Sequence, residues 1–146
     1  MKILLSFDKQ LLLEYDNKNK PLIFGITWKF EDVYYPSNNW IDFGVVILNW
    51  WFGCVSRLIG GSSLERLQFM DGPYSIEVIH HLENSTITLI PKDLGATWQV
   101  TTTELVEQLL QAAEETHKEL YHLNIGQESQ KSLLIAMQKL RSEVES

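Results

Sequence analysis

Four histidines, nineteen carboxylates and a single cysteine are the side chains through which this chain could do chemistry. His80 and His81 are adjacent, while His117 and His122 stand five positions apart. On a strand, neighbouring side chains point to opposite faces, so the first pair cannot close on one ion. On a helix a chelating pair needs a spacing of four, so the second pair falls on different sides. These imidazoles read as packed or surface groups. A paired-carboxylate site needs two acids facing one cleft with their pKa values pushed apart, and no spacing here announces one. Asp71 precedes Gly72 in a turn, where its side chain can hydrogen-bond nearby backbone amides. Cys54 lies among Phe52, Gly53 and Val55, without the electropositive, exposed setting of a reactive thiolate. It reads as a small core residue. Ser62-Ser63 follow Gly60-Gly61, but no lysine and no following helix complete a phosphate cradle. No catalytic, metal-binding or cofactor-binding residue is therefore expected, no cofactor is expected, and the chain is not expected to be an enzyme.

The carboxylates instead suit a binding surface. The 146 residues carry a formal net charge of −7, with 45% hydrophobic and 21% charged residues. That balance opposes phosphate-backbone binding, which needs a basic footprint. It fits either a protein kept soluble by its charge or one that meets a basic partner. Glu104, Glu107, Glu114, Glu115 and Glu119 stand against one cation, Lys118, over a single helical stretch. This is a solvated helix face or a docking surface. As partner-binding residues we take Glu104, Glu107, Glu115 and Glu119 first, with Asp71 and Asp93 second. The pair Trp50-Trp51 reads as core, with an aromatic hot spot as the alternative.

The elements that must position these groups follow from periodicity and turn signals. Residues 2–7 and 10–16 read as two short strands joined near Asp8-Lys9. Leu22, Phe24, Ile26, Trp28 and Phe30 alternate with a mixed set, the pattern of a strand with one face on the core. Pro36 ends that run, and Ser37, Asn38 and Asn39 offer N-caps to a helix from about Trp40 to Ile59, with Asp42 in or near its first turn. Apolar residues nearly encircle this helix, so it is expected to be buried on most sides. Strands at 65–70, 74–82, 86–90 and 96–101, with short connections, imply an antiparallel meander. Asp71-Gly72 marks the first connection, lengthened by Pro73. Two helices follow. The first buries Leu105, Leu109, Ala112, Ala113, Thr116 and Leu120, and the second Leu133, Met137, Leu140 and Val144.

The expected fold is α+β, an antiparallel sheet of five to seven strands packed against a central apolar helix, with two C-terminal helices. Length and the absence of a linker predict a single domain over 1–146. The N-terminal apolar run is short, is interrupted by Asp8 and precedes no small-residue cleavage site. The apolar stretch from Phe43 to Val55 is too short to span a bilayer. A cytoplasmic location away from membranes is the expectation, and the Asn84-Ser85-Thr86 sequon then carries no meaning.

Two stretches, Trp40-Ile-Asp-Phe with its Trp50-Trp51 end and Phe69-Met-Asp-Gly-Pro-Tyr74, together resemble a group of small bacterial immunity proteins. These bind and silence polymorphic toxins such as contact-dependent growth inhibition nucleases. The resemblance covers roughly residues 24–90 and rests on Trp40, Asp42, Phe43, Trp50, Trp51, Phe69, Asp71, Gly72, Pro73 and Tyr74. These are fold markers. The family offers no catalytic residues to carry over, its toxin-contacting residues vary with the toxin, and the two C-terminal helices lie outside the resemblance. It implies a cytoplasmic immunity protein whose partner is the C-terminal domain of a cognate toxin, a basic nuclease whose active site it occludes. An acidic inhibitor suits a basic phosphate-binding cleft, and opposite charge speeds the encounter. The competing functions are a small regulatory or ligand-binding module with an aromatic-lined pocket, and an enzyme whose carboxylates or histidines converge only in three dimensions.

Overall fold

The chain enters on strand β1 (Lys2–Ser6) and then turns into helix α1 (Lys9–Asn17) in the computed structural model, which describes residues 1–146. Residues 10–16, expected as a strand, are therefore helical. Asp8 explains the switch: its carboxylate accepts the Leu11 backbone N–H at 3.2 Å, the bond of an N-cap. Lys18 and Glu14, one turn apart, form an ion pair. Of the three leucines that mimic a strand, only Leu12 is fully buried.

Strand β2 (Phe24–Phe30) is the hub of the first sheet, pairing antiparallel with β1, with β3 (Val33–Tyr35) and with β4 (Ile41–Asp42). The alternating set Leu22, Phe24, Ile26, Trp28 and Phe30 is buried, at 0–5% exposure. The other face is largely closed too: Gly25 and Thr27 are buried and Lys29 half-buried, with Thr27 Oγ1 in hydrogen-bond reach of the Tyr35 and Ser37 carbonyls.

Helix α2 (Gly44–Ile59) begins later than the sequence implies. Trp40 to Asp42 lie outside it, Asp42 pairs with Phe24 across the sheet, and Phe43 is the cap position without a side-chain cap bond. Ser37, Asn38 and Asn39 do not cap it. Gly44 is required where the helix meets β2, since a Cβ there would stand 2.0 Å from the Phe24 ring.

The second sheet is the expected meander, β5 (Leu64–Gln68), β6 (Ser75–His81), β7 (Thr86–Pro91) and β8 (Trp98–Thr101), paired in sequence order. The fold is thus α+β and antiparallel throughout, with its eight strands divided between two four-stranded sheets rather than gathered in one. Aromatic and polar contacts join the sheets. Phe30 stacks on Trp98 with ring centroids 4.4 Å apart, and the Tyr35 hydroxyl bonds across to the carbonyls of Ser75 and Lys92.

Two long helices close the structure, α3 (Thr102–Leu123) and α4 (Gln127–Glu145). Thr101 caps α3 through its hydroxyl, and Asn124 ends it in the left-handed conformation. The face Leu105, Leu109, Ala112, Ala113, Thr116 and Leu120 is buried as expected. On α4 the stripe holds for Leu133, Met137 and Leu140 but not for Val144, which is 51% exposed. Helix α4 lies against α2 and α3, and one core of 33 buried residues runs through both sheets and all four helices. No helix is long and apolar enough to cross a membrane.

Candidate partner-binding surface

The stretches at 40–43 and 69–74 meet in space. Asp42, 1% exposed, is their centre. Its carboxylate accepts Trp40 Nε1–H at 3.0 Å, the Phe43 amide at 2.7 Å and the Asp71 amide at 3.2 Å. Donors surround the carboxylate, which is how a buried acid is tolerated. Trp40 packs edge-on to Tyr74 and Phe69, and Trp51 to Phe69. Gly72, at φ +92, brings the backbone against Tyr74 and Trp40, a conformation and closeness that favour glycine. Asp71 takes part through its backbone N–H. Its side chain is exposed and makes no turn hydrogen bond, which corrects the role its position suggested.

Trp50 and Trp51 part company. Trp51 is 0% exposed and donates its indole N–H to the Gln68 carbonyl at 2.9 Å. Trp50 is 42% exposed, so the core reading fails for it. It lines a shallow pocket of about 380 Å³ with Asn49, Gly53, Cys54, Arg57, Arg66 and Gln68. Cys54 is buried there, and burial pushes its thiol up, outweighing the nearby Arg57 guanidinium. Arg57 is itself occupied by Glu65 at 2.8 Å.

The acidic residues divide into two groups. Glu104, Glu107 and Glu115 are exposed and Glu119 half-buried on the outward arc of α3. None of the four belongs to an ion pair. Of their neighbours, Glu114 alone is neutralised, by Arg141 of α4. Asp71 and Asp93 are exposed at the opposite end of the second sheet from the start of α3, because β6 runs from Ser75 near Asp71 to His81 near Thr101. A strand of that length spans about 20 Å, so Glu104 and Glu107 do not share a site with Asp71 and Asp93. Sequence reasoning placed the α3 carboxylates correctly on one face because helical phase is local. It could not see which acids would find cations on other elements.

The histidines do not converge. His81 Nε2 lies 2.9 Å from Thr88 Oγ1, His117 stacks on Tyr121, and no group of three or more His, Cys, Asp and Glu side chains is placed to hold a metal ion. No protein-family model matches the chain, and neither a curated protein nor a solved structure matches it.

Proposed function

We infer that this protein is an immunity protein, which binds the C-terminal domain of a cognate bacterial toxin in the cytoplasm and occludes its active site. The toxin is a basic nuclease. The observation that carries this reading is the outward arc of α3, where Glu104, Glu107, Glu115 and Glu119 have no ion-pair partner in the protein. Carboxylates without internal counter-ions project an uncompensated negative field, which attracts the cations of a phosphate-binding cleft. Rigid support strengthens the case, since the opposite face of α3 is packed into the core and holds the arc in place. The resemblance carried by Trp40, Asp42, Phe69, Gly72 and Tyr74 agrees, because those residues form one physical cluster of the kind that fixes a fold. Coexpression with the C-terminal domain of a toxin encoded beside the gene tests the reading. The expected outcome is a complex that survives purification and a nuclease that no longer cuts. A neighbouring toxin domain that neither co-purifies nor loses activity would overturn it.

A further inference from the structure

Val144 is the clue to a second feature. It belongs to the apolar stripe of α4 by sequence, yet it stands half-exposed. It lines a pocket of about 430 Å³ between the end of α2, the end of β6, the first turns of α3 and the last turn of α4. Ile59, Val106, Leu110 and Val144 make its apolar walls, His80 and Thr103 are polar edges, and Glu107 is its one carboxylate. No lysine or arginine lines it. The volume falls within the range of sites that take small organic groups. His80 Nδ1 is buried without a hydrogen-bond partner, so no bond ties that edge of the imidazole. The first turn of α3 brings a positive dipole end to this mouth and the last turn of α2 a negative one. These partial charges oppose each other, and the full charge of Glu107 decides the sign.

We propose that this pocket is the anchor site for one basic side chain of the protein partner, a lysine or arginine whose methylene stem lies along Ile59, Leu110 and Val144 and whose charged head pairs with Glu107. Long basic side chains bury their stems on apolar surface and keep the head at a polar edge, and the pocket offers both in one place. The assignment rests on the immunity reading for the identity of the partner, but the site itself is a property of this chain. It sets Glu107 apart from Glu104 and Glu115, which act by charge alone.

The probe is n-butylguanidinium, an arginine side-chain analogue, with n-butylurea as its neutral counterpart. Each is titrated into the isolated protein and followed by amide chemical shifts in two-dimensional NMR. Saturating shifts confined to Ile59, His80, Thr103, Glu107 and Val144 are expected with the guanidinium. The urea should bind about three- to fivefold more weakly, the range an exposed ion pair supports. Glu107→Gln should abolish that difference, and Glu115→Gln, outside the pocket on the same helix, should leave it intact. Shifts that spread along the whole acidic arc without saturating, or equal binding of both probes, would overturn the proposal. Those outcomes concern this chain alone, so a failed pocket and a failed toxin partnership are told apart: the first leaves co-purification standing, the second leaves the confined shifts.

Discussion

Asp42 and the carboxylates of α3 are the same functional group in opposite circumstances. Around Asp42 the fold supplies an indole N–H and two backbone amides and removes water. Along α3 it supplies no cation to Glu104, Glu107, Glu115 or Glu119 and leaves them facing outward. An acid saturated with donors ties two segments of chain together and has no acceptor site left for a partner. An acid without counter-ions contributes little to the fold and keeps its charge available to a partner. The difference between a buried structural acid and an acid left free for a partner therefore lies in donor supply, which residue type does not reveal.

Four experiments sharpen or break this contrast. The largest effect is expected inside the aromatic cluster that Asp42 organises. Trp51→Ala should cost about 3–5 kcal/mol, as large-to-small changes in a packed core do, whereas Trp50→Ala should cost well under that because its ring is already half in water. Denaturant melts of both variants check this, and equal losses would erase the distinction between the two rings. Asp42→Ala should cost about 2–4 kcal/mol, since three donors lose their acceptor, and Asp42→Asn somewhat less. Thermal unfolding measures it. A loss below about 0.5 kcal/mol, the level of an ordinary surface change, would place Asp42 with the α3 acids after all.

The third experiment moves to the other side of the contrast. Charge reversal at Glu104, Glu107 and Glu115 should leave the fold intact and cost about 1 kcal/mol, mainly from the cation placed at position 104 in the first turn of α3. It should slow association with the proposed toxin domain about tenfold or more at low salt, within the range of electrostatic steering. Added salt should slow the wild type more than the triple variant, because screening acts on the same long-range attraction. Stopped-flow rates at two ionic strengths decide it, and equal low-salt rates for both proteins would remove this face from the encounter.

The smallest effect concerns Tyr35, the hydroxyl that spans the two sheets. Burial pushes its phenol above the usual tyrosine value, outweighing the Ser75 backbone N–H that donates to the phenol oxygen. The unfolded chain therefore releases this proton at lower pH than the folded one. The associated stability is fully present below about pH 10, the ordinary tyrosine value, and is lost as pH climbs past it. Tyr35→Phe should cost about 1 kcal/mol at neutral pH through the lost hydrogen bonds and should flatten the alkaline fall in stability. Melting temperatures from pH 7 to 11 test both, and an unchanged alkaline slope would assign that fall to other groups.

What sequence revealed and what it hid follows the reach of each signal. The alternation of Leu22 to Phe30, the meander from Leu64 to Thr101 and the buried stripe of α3 are local patterns, and all three are found. Asp8 reads as the joint between two strands because three leucines follow it, and only the folded chain shows it capping a helix. In α2 the apolar residues run nearly all round, so periodicity has no phase, and nothing told Trp50 from Trp51. The division of the strands into two sheets depends on β2 accepting three partners, and strand pairing of that kind has no local trace. For the candidate surface, the α3 arc was readable. The pocket beside Glu107 was not, because Ile59, His80, Leu110 and Val144 come from four separate elements.

The docking of α4 on α2 has a consequence for synthesis. Helix α2 is complete at Ile59, while the helix that covers it begins only at Gln127. At translation rates on the order of 5–20 residues per second, several seconds separate the two. Once synthesis passes Thr101 every strand has been made and each can pair with a neighbour in the chain, yet until α4 is made the side of α2 bearing Phe52 and Ser56 has no cover. The nascent protein thus passes through a period in which its two sheets can form while one flank of its most apolar helix stays open. That exposed flank is the surface a chaperone, or a second unfinished chain, would meet first.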